Sequence, residues 1–321
     1  MAILAALGFF IAGGSGLLAL LSLGGAFSDR LDVLTHFSPF YMVGGAAGLV
    51  LGLVSRPTAG WRETVFMSAI AVLAPAAAMT PDLAAAVFAK HVAPMRQTVK
   101  IVQFNVWSEN RDPARTARWI ERERPDIIVM EEAMGDGALV PEAIAADYPY
   151  QTQCQPRPTC TTIILSRVAP RASGAFPSPD FDPLHSGAWA RFGQGSDAFT
   201  VVGTHLTWPF PPGEQRLQAQ NLADHLAGLD KSSLILAGDF NSTPWSFTLR
   251  RLDRSLGLVR RTHALFSWPA RTYGYRHRLE SPIPLLPIDH VYAGAEWKTV
   301  SAERGPRLGS DHFPIVVVLT R

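Results

Sequence analysis

Residues 234–244 read LILAGDFNSTP, a short apolar run that ends in polar and turn-forming residues. Such a run, closed by Gly and then by turn formers, predicts a buried strand that ends abruptly. Asp239 and Asn241 stand two residues apart at its end, so strand geometry puts both side chains on one face. An ordinary Asp/Asn turn would give the same pair, and the interpretation therefore depends on the rest of the chain.

Charge is distributed unevenly along the 321 residues. Residues 1–99 contain nine Asp, Glu, Lys or Arg, whereas residues 100–321 contain 47. The second part has 24 basic and 23 acidic residues, a net charge of +1. This balance argues against a strongly basic nucleic-acid binder whose affinity rests on neutralising phosphates. A near-neutral domain can still act on phosphodiesters when a bound metal ion supplies positive charge.

Three apolar stretches near the N-terminus predict a membrane domain. They are Met1–Ser28, Val33–Ser55 and Thr64–Thr80, the last of which contains Pro75 and can continue through Leu83–Phe88. Buried core helices are the alternative, but three Gly- and Ala-rich stretches in succession favour membrane spans. A cleaved signal peptide is disfavoured because no basic residues precede the first stretch, which is also too long. We therefore expect three transmembrane helices within residues 1–96.

The charges of the loops predict the orientation of these helices. The first loop carries Asp29, Arg30 and Asp32, and the second carries Arg56 and Arg62 against Glu63. The positive-inside rule places the second loop and the N-terminus in the cytoplasm, and the C-terminal domain on the periplasmic or extracytoplasmic side of the cytoplasmic (inner) membrane. Lys90 and Arg96, which follow the third stretch, argue mildly for the opposite orientation.

The chain has two cysteines, Cys154 and Cys160, separated by a Pro-rich turn that can bring them together. In an oxidising compartment a disulfide is favoured over two free core thiols. Two thiolates at this spacing would not complete a zinc site.

Residues 97–321 show the pattern of an α/β domain. The expected strands are Val99–Trp107, Pro125–Glu132, Thr161–Ser166, Ala188–Phe192, Phe199–Leu206, the start of residues 234–244, Ile288–Tyr292 and Phe313–Leu319. One helix should begin at Asp112, as N-cap before Pro113, and end near Arg124, and another should cover Glu214–Leu229. Many strands, few helices and long Pro-rich connections predict two packed sheets with helices outside.

Most of these strands end in polar residues. The set is Asn105, Glu132, His205, Asp239, Asn241, Asp289, Asp311 and His312. A lone histidine is more often structural than catalytic, but neighbouring strands would gather this set into one acidic, histidine-containing pocket. Carboxylate and amide oxygens suit Mg²⁺. A metal ion, a His–carboxylate pair that activates water and a second histidine that protonates the leaving oxygen can together attack a phosphate ester.

Six short motifs occur in the order typical of the endonuclease/exonuclease/phosphatase family. They are FN at 104–105, PDII at 125–128 leading to Glu132, THL at 204–206, GDFN at 238–241, IDH at 288–290 and SDHFP at 310–314. From Val99 to Leu319 the chain resembles this family, which includes pancreatic deoxyribonuclease, abasic-site endonucleases, inositol polyphosphate 5-phosphatases and neutral sphingomyelinases. The resemblance implies a four-layer α/β sandwich, with two mainly antiparallel sheets flanked by helices, and Mg²⁺-dependent phosphoester hydrolysis, with Mn²⁺ as a substitute.

The same resemblance implies roles for the strand-end residues. Glu132 would be the chief metal ligand, with Asn105 and Asp311 near the ion or its waters. His312, oriented by Asp289, would be the base or a phosphate contact. Asp239 and Asn241 would position the attacking water and stabilise the transition state, and His205 would lie near the leaving group.

One residue departs from the family pattern. Glu131 stands where the family commonly has Gln before the metal-binding Glu. Because adjacent strand residues face opposite ways, we expect Glu131 to point away from the face of Glu132 and to affect catalysis little.

Two further segments could select the substrate. Residues 208–212, Trp-Pro-Phe-Pro-Pro, follow His205 and could stack on bases, enter a lipid interface or act only as a stiff connection. Eight arginines between Arg250 and Arg278, with Asp253 as the only acid, could attract phosphates or anionic headgroups or form a solvated helix face.

The leading hypothesis is a membrane-anchored, Mg²⁺-dependent phosphodiester hydrolase that is nuclease-like, within a catalytic domain at residues 97–321. The membrane spans resemble those of a bacterial membrane-anchored subgroup of the family. A second hypothesis keeps the chemistry but takes a phospholipid headgroup or an inositol phosphate as substrate. A third is a non-catalytic, membrane-tethered binding module, which the intact acid and histidine set disfavours because buried charge is costly to retain. No protein partner is implied.

Overall fold

The structure, a computed structural model, describes residues 1–56, 58–154, 160–176, 187–270, 272–273 and 279–321. The Pro-rich turn between the two cysteines lies outside the described residues. So do Arg271, Arg276 and Arg278 of the arginine-rich stretch.

Along the described chain, four α-helices precede the first strand, and the remaining helices lie between strands. The α-helices are α1 (Ala2–Leu23), α2 (Asp29–Thr35), α3 (Ser38–Val54), α4 (Trp61–Val87), α5 (Pro113–Glu123), α6 (Leu139–Ala143), α7 (Glu214–Ala227) and α8 (Phe247–Leu256). The strands are β1 (Thr98–Asn105), β2 (Ile127–Glu131), β3 (Tyr150–Gln153), β4 (Ile163–Ser166), β5 (Ala172–Ala175), β6 (Gly187–Phe192), β7 (Phe199–His205), β8 (Leu234–Asp239), β9 (Val259–Arg260), β10 (Thr272–Tyr273), β11 (Leu279–Glu280), β12 (Asp289–Ala293), β13 (Lys298–Arg304) and β14 (Ile315–Thr320).

Two six-stranded sheets form the sandwich, with strand orders β13-β14-β1-β2-β4-β3 and β5-β6-β7-β8-β12-β9. Each sheet contains one parallel pair among its described strands, β1 with β2 and β7 with β8, and its other pairs are antiparallel. The prediction of two mainly antiparallel sheets flanked by helices is confirmed.

Alternation along the strands divides the core into two layers. On β1 and β2, Ile101, Ile127 and Val129 belong to a cluster that also contains residues of β7, β8 and β12, such as Val201 and Ile235. The intervening residues pack on the other face with side chains of α5 and α6. Strands that are apolar on both faces are those of a central, covered sheet layer. The side chains of β1 and β2 that share the face of Ile101 and Val129 therefore point toward the second sheet.

The helix predicted after Asp112 forms as expected. Asp112 is the N-cap, its carboxylate accepts a hydrogen bond from the Arg115 backbone N–H, and Pro113 is the first helical residue. The helix ends at Arg124, which adopts a left-handed conformation with φ +50°. Pro125 follows and cannot continue a helix.

The chain divides into two compact units. One comprises Phe88–Trp208, Leu217–Ser242 and Leu252–Arg321. The other comprises the apolar helices, Met1–Val87, together with Pro209–Arg216 and Thr243–Arg251. Two short stretches from the C-terminal part of the sequence thus belong to the same unit as the N-terminal helices.

Within this helical unit, α2 contacts both of these short stretches. The buried Asp32 carboxylate accepts hydrogen bonds from the backbone N–H groups of Phe247 (2.8 Å) and Thr248 (2.7 Å). The Arg216 guanidinium donates to Asp29 Oδ2 at 2.8 Å. His36 Nδ1 lies 3.0 Å from Thr243 Oγ1. An acid that accepts the free N–H groups of a helix start acts as a cap from another part of the chain.

Within the part of the chain that the structure describes, two helices are long and apolar enough to cross a membrane, over Ala2–Ala26 and Trp61–Val87. The second expected span is instead a bent pair, α2 and α3, whose axes differ by 60°. The bend falls just before Pro39, whose ring is incompatible with a helix that continues from the preceding turn. The prediction of three transmembrane helices is therefore a slight overstatement: there are two candidate spans, or three if the bent pair counts as one.

Candidate functional site

Sheet topology gathers the polar strand ends. β1 and β2 are parallel and β14 is antiparallel to β1, so the ends of β1 and β2 lie at the same edge as the start of β14. In the second sheet the register pairs Asp239 with both His205 and Asp289. All eight residues selected from the sequence stand at these strand ends or within four residues of them.

Three residues just beyond strand ends adopt left-handed backbone conformations. Trp107, Glu132 and Asn241 have φ values of +62°, +53° and +46°. Non-glycine residues rarely adopt this conformation, which costs on the order of 1 kcal/mol or more and clusters at functional sites. At Glu132 and Asn241 the backbone therefore leaves the strand conformation, and this change sets the direction of their side chains.

His312 is held between two carboxylates. Its Nδ1 lies 2.8 Å from Asp289 Oδ2, and its Nε2 lies 3.6 Å from Asp239 Oδ2. All three side chains are buried. A carboxylate on Nδ1 fixes the ring orientation and favours the protonated imidazole.

His205 approaches Asp239 from the other side. His205 Nε2 lies 3.7 Å from Asp239 Oδ2, and its Nδ1 lies 3.2 Å from Thr161 Oγ1. The Asn241 side-chain amide donates to the Leu206 carbonyl at 3.0 Å and lies 3.3 Å from His205 Nε2. The same oxygen of Asp239 therefore faces two imidazoles.

Asn105 connects two of the acids. Its Nδ2 donates to Glu132 Oε1 at 3.0 Å and to Asp239 Oδ2 at 3.1 Å. Its Oδ1 accepts a hydrogen bond from the Trp107 backbone N–H at 2.9 Å. In this geometry Asn105 presents its amide nitrogen to the acids, so it orients them as a donor.

Among the described residues, only one of the two carboxylate oxygens of Asp311 has a hydrogen-bond donor. Trp268 Nε1 donates to Asp311 Oδ2 at 3.3 Å. The other oxygen, Oδ1, is buried without a hydrogen-bond partner among the residues that the structure describes. A buried carboxylate oxygen without a partner is costly, and a bound cation or water would satisfy it.

Burial and mutual charge shift the pKa values of the central groups. Burial alone would lower the pKa of His312, but Asp289 and Asp239 raise it well above the usual value. Burial would raise the pKa of Asp289, but the charge and hydrogen bond of His312 lower it overall. Burial and the charge of Asp289 raise the pKa of Asp239 to about 6. The pair His312–Asp289 is thus charged at neutral pH, and Asp239 exchanges its proton near neutrality.

The outer acids shift in opposite directions. Burial would raise the pKa of Glu132, but His205 and the Asn105 hydrogen bond lower it overall. Burial raises the pKa of Asp311, and the charge of Glu132 adds to this effect. The negative charge of Glu132 therefore disfavours a second charge on Asp311, and a cation bound between acids offsets such repulsion.

The donor set fits a hard divalent cation. Asp239, Asp289 and His312 offer potential ligand atoms within 4.8 Å of one another, but hydrogen bonds and close contacts within the trio already occupy several of these atoms. Glu132 and Asp311 fit better, because they are oxygen donors and one oxygen of Asp311 lacks a partner among the described residues. These two acids could hold the ion, with Asn105 orienting Glu132.

The expectation that Glu131 points away from the site is wrong. Glu131 faces the second sheet, is fully buried, and accepts a hydrogen bond from Gln103 Nε2 at 2.9 Å. Burial and the charges of Asp289 and Asp239 raise its pKa well above the usual value. Strand alternation fails here because Glu132 leaves the strand with positive φ, so both acids reach the same hydrogen-bond network.

Other residues of the network were not foreseen. Ser310 Oγ donates to the Asn105 carbonyl at 2.7 Å and accepts from the His312 backbone N–H at 2.9 Å. Gln103 and Thr161 also contact site residues. For Gln103 the available signal was a polar residue that follows Val99 and Ile101 at alternate positions, on a face that is otherwise apolar before Asn105.

Comparisons with known proteins concern the sequence family and the fold. The profile of the Endonuclease/Exonuclease/phosphatase family matches residues 102–312. A search of the curated proteins finds no match.

Solved structures share the fold. D. rerio TDP2 complexed with a single-strand DNA product has a TM-score of 0.57 at 16% identity, covering 70% of this chain and 100% of that chain. Sphingomyelinase C from Streptomyces griseocarneus has a TM-score of 0.52 at 18% identity, covering 70% and 100%. A mutant of beta toxin from Staphylococcus aureus with bound magnesium ions has a TM-score of 0.53 at 14% identity, covering 70% and 100%. At these identities the similarity concerns the fold.

Proposed function

The chain is a hydrolase of the endonuclease/exonuclease/phosphatase family, and we propose that it is a membrane-anchored, Mg²⁺-dependent phosphodiesterase with a nuclease-like site at residues 97–321. The observation that carries this proposal is the placement of Asp239 between two imidazoles, one of which is held by Asp289. An acid, two histidines and two further carboxylates at one edge provide a base, proton donors and a cation site.

Each group of the site has its own part in the chemistry. A divalent ion held by Glu132 and Asp311 would offset the negative charge that develops on the phosphate. Asp239, with a pKa of about 6, accepts the proton of the attacking water. Protonated His312 contacts a phosphate oxygen while Asp289 holds its ring.

On the leaving-group side, His205 protonates the departing oxygen. Its Nε2 lies beside the amide of Asn241, which keeps the ring in place. The partial exposure of the His205 side chain, 19%, gives a substrate access to it.

Substitution of His312 tests this assignment. His312→Ala should lower turnover of a chromogenic phosphodiester in Mg²⁺ by about 10²- to 10³-fold, because a positioned, charged hydrogen-bond donor to the phosphate is lost. The measurement is the initial rate of the full chain in detergent. His91→Ala, at an exposed position, is the matched control and should retain the wild-type rate. Wild-type turnover by His312→Ala would refute the site assignment.

A second candidate substrate is a phospholipid headgroup. It is favoured by the division of the chain, since Pro209–Arg216 and Thr243–Arg251, which follow His205 and Asn241 in sequence, belong to the compact unit of the apolar helices. In addition, Phe210 is 72% exposed, and an exposed aromatic side chain can enter a lipid interface. Rates on plasmid DNA, single-stranded DNA and sphingomyelin or phosphatidylcholine vesicles separate the candidates. Preferential hydrolysis of the vesicles would replace the nuclease-like proposal with the lipid one.

We also propose that the hydrolase faces the extracytoplasmic side of the cytoplasmic membrane. Asp32, in the loop between the first two apolar segments, accepts hydrogen bonds from Phe247 and Thr248, so this loop lies on the same side of the membrane as these two residues. The loop with Arg56 and Arg62 would then be cytoplasmic. Cys154 and Cys160 form a disulfide in the structure, which agrees with an oxidising compartment.

Cysteine labelling tests this orientation. Phe27→Cys, at a position that is 95% exposed, should react with a membrane-impermeant maleimide in intact cells. Ala59→Cys, also exposed, should react only after permeabilisation. The native cysteines are paired and provide a low background. Labelling of Ala59→Cys in intact cells would reverse the proposed orientation.

A further inference from the structure

Gln103 links the two sheets beneath the candidate site. It lies on β1, two residues before Asn105, and shares the face that points toward the second sheet. Its Nε2 donates to Asp289 Oδ1 at 2.7 Å and to Glu131 Oε2 at 2.9 Å. Asp289 belongs to β12 of the second sheet, so a single amide nitrogen holds carboxylates from both sheets.

The contact leaves each oxygen of Asp289 with its own donor. Oδ1 accepts from Gln103, Oδ2 faces His312 Nδ1 at 2.8 Å, and the Ser267 side chain also hydrogen-bonds to the carboxylate. Two donors on opposite oxygens fix the plane of a carboxylate, and that plane sets the direction in which the imidazole can lie. Gln103, together with Ser267, therefore sets the angle of the His312 ring toward Asp239, and Gln103 is the partner that comes from the other sheet.

Simple core packing does not account for this side chain. Gln103 and Glu131 have no exposed surface, and Asp289 is 1% exposed. Burying three polar groups costs more free energy than burying apolar residues of similar size, even when hydrogen bonds offset part of that cost. Packing alone would therefore favour apolar side chains here. The remaining inward-facing positions of β1 before Asn105, such as Val99 and Ile101, are apolar.

We infer that Gln103 is a positioning residue that orients Asp289 and, through it, His312, and that Glu131 anchors the Gln103 amide. This inference rests on the proposed hydrolytic function of the site. It gives Glu131 a place in the network that differs from metal binding, since its carboxylate is joined to Gln103.

Kinetics of Gln103→Met test the inference. Methionine keeps the length of the side chain but has no N–H donor. We expect kcat for a chromogenic phosphodiester to fall about 10- to 100-fold, as for other groups that orient a catalytic residue, while KM stays within about 3-fold. Gln153→Met on β3 is the matched control and should keep the wild-type kcat. A wild-type kcat in Gln103→Met would overturn the inference.

A double-mutant cycle separates positioning from general destabilisation. If Gln103 acts through Asp289, adding Gln103→Met to Asp289→Asn should lower kcat by less than about 2-fold further. Additive losses would instead indicate a merely structural role and overturn the inference. If Gln103→Met does not fold, Gln103→Asn provides the same test, because the shorter amide cannot reach both carboxylates.

A spectroscopic measurement keeps the inference separate from the proposed function. In ¹⁵N-labelled full-length protein, the Nδ1–H signal of His312 reports its hydrogen bond to Asp289 without any substrate. Gln103→Met should shift or broaden that signal, whereas Gln153→Met should not. If the wild-type protein hydrolysed no phosphodiester, the proposed function would be refuted. The His312 signal would still test the inference, because it needs no substrate. An unchanged His312 signal in Gln103→Met would overturn the inference itself.

Discussion

At the scale of single residues, the site is organised around Asp239 Oδ2. That oxygen accepts a hydrogen bond from Asn105 at 3.1 Å and faces His312 and His205 at 3.6 Å and 3.7 Å. Three groups that can carry or donate protons surround one buried acid. These groups lower the pKa of Asp239, but burial and the charge of Asp289 outweigh them and raise it to about 6, which suits a proton acceptor.

The ion pair of His312 with Asp289 predicts a pH-dependent stability in the metal-free protein. The raised pKa of His312 contributes stability that is complete below the unfolded value of 6.5 and is lost as pH rises through the folded pKa. The lowered pKa of Asp289 contributes stability that is present above its unfolded value of 3.8 and is lost as pH falls.

Asp289→Asn removes both contributions. In the presence of a chelator, its thermal midpoint should lie furthest below that of the wild type between about pH 4 and pH 6.5. The difference should then shrink as pH rises. Thermal melts across this range are the measurement, and a difference that grows steadily above pH 6.5 would contradict the pairing.

How far the sequence predicts the site depends on the kind of residue. Glu132, Asp239 and His312 stand in motifs next to apolar runs. The change from apolar to polar residues at a strand end can be recognised in the sequence. Gln103 sits inside a strand, where alternation alone does not distinguish a buried polar side chain from a surface one. Glu131 was misplaced because alternation was applied across a residue, Glu132, that has positive φ.

At the scale of elements, the parallel pairs β1–β2 and β7–β8 place four of the polar ends side by side. β8 approaches β7 closely at Gly238, where a Cβ would lie 1.9 Å from the Thr204 carbonyl oxygen. A side chain at this position would push the two strands apart. Glycine in the GDFN motif thus preserves the pairing of His205 with Asp239.

Elements with strong patterns were predictable, and short ones were not. The buried strands and the helix after Asp112 follow from apolar runs, caps and prolines. Strands β3, β5 and β13 were missed because they are short or partly exposed and lack a clear alternation. The break before α3 was also missed, since hydropathy does not register a change of helix direction at Pro39.

The short helix α2 has a role that its sequence does not predict. Asp29 and Asp32 looked like a charged loop between spans, but the structure uses Asp32 to cap the start of α8. Each such cap contributes on the order of 1 kcal/mol. This contact joins the residues that follow Asn241 in sequence to the N-terminal helical unit.

At the scale of the whole molecule, charge and hydropathy divide the chain into an apolar N-terminal part and a charged, nearly neutral C-terminal part. The N-terminal 99 residues carry nine of the 56 charged residues, which matches helices apolar enough to cross a membrane. The rest is close to neutral, so a site for an anionic phosphodiester needs positive charge from histidine and a cation. We therefore expect the proposed hydrolase to need a divalent cation.

The initial rate of phosphodiester hydrolysis by the full chain, measured as a function of Mg²⁺ concentration, tests this claim most directly. The wild-type rate should saturate with Mg²⁺ and fall to background with a chelator. Glu132→Gln should lower that rate at least about 100-fold, because the proposed charged ligand of the metal ion is removed. Glu142→Gln, an exposed acid on α6, should match the wild type. A rate that is insensitive to the chelator, or equal in Glu132→Gln and the wild type, would contradict the account.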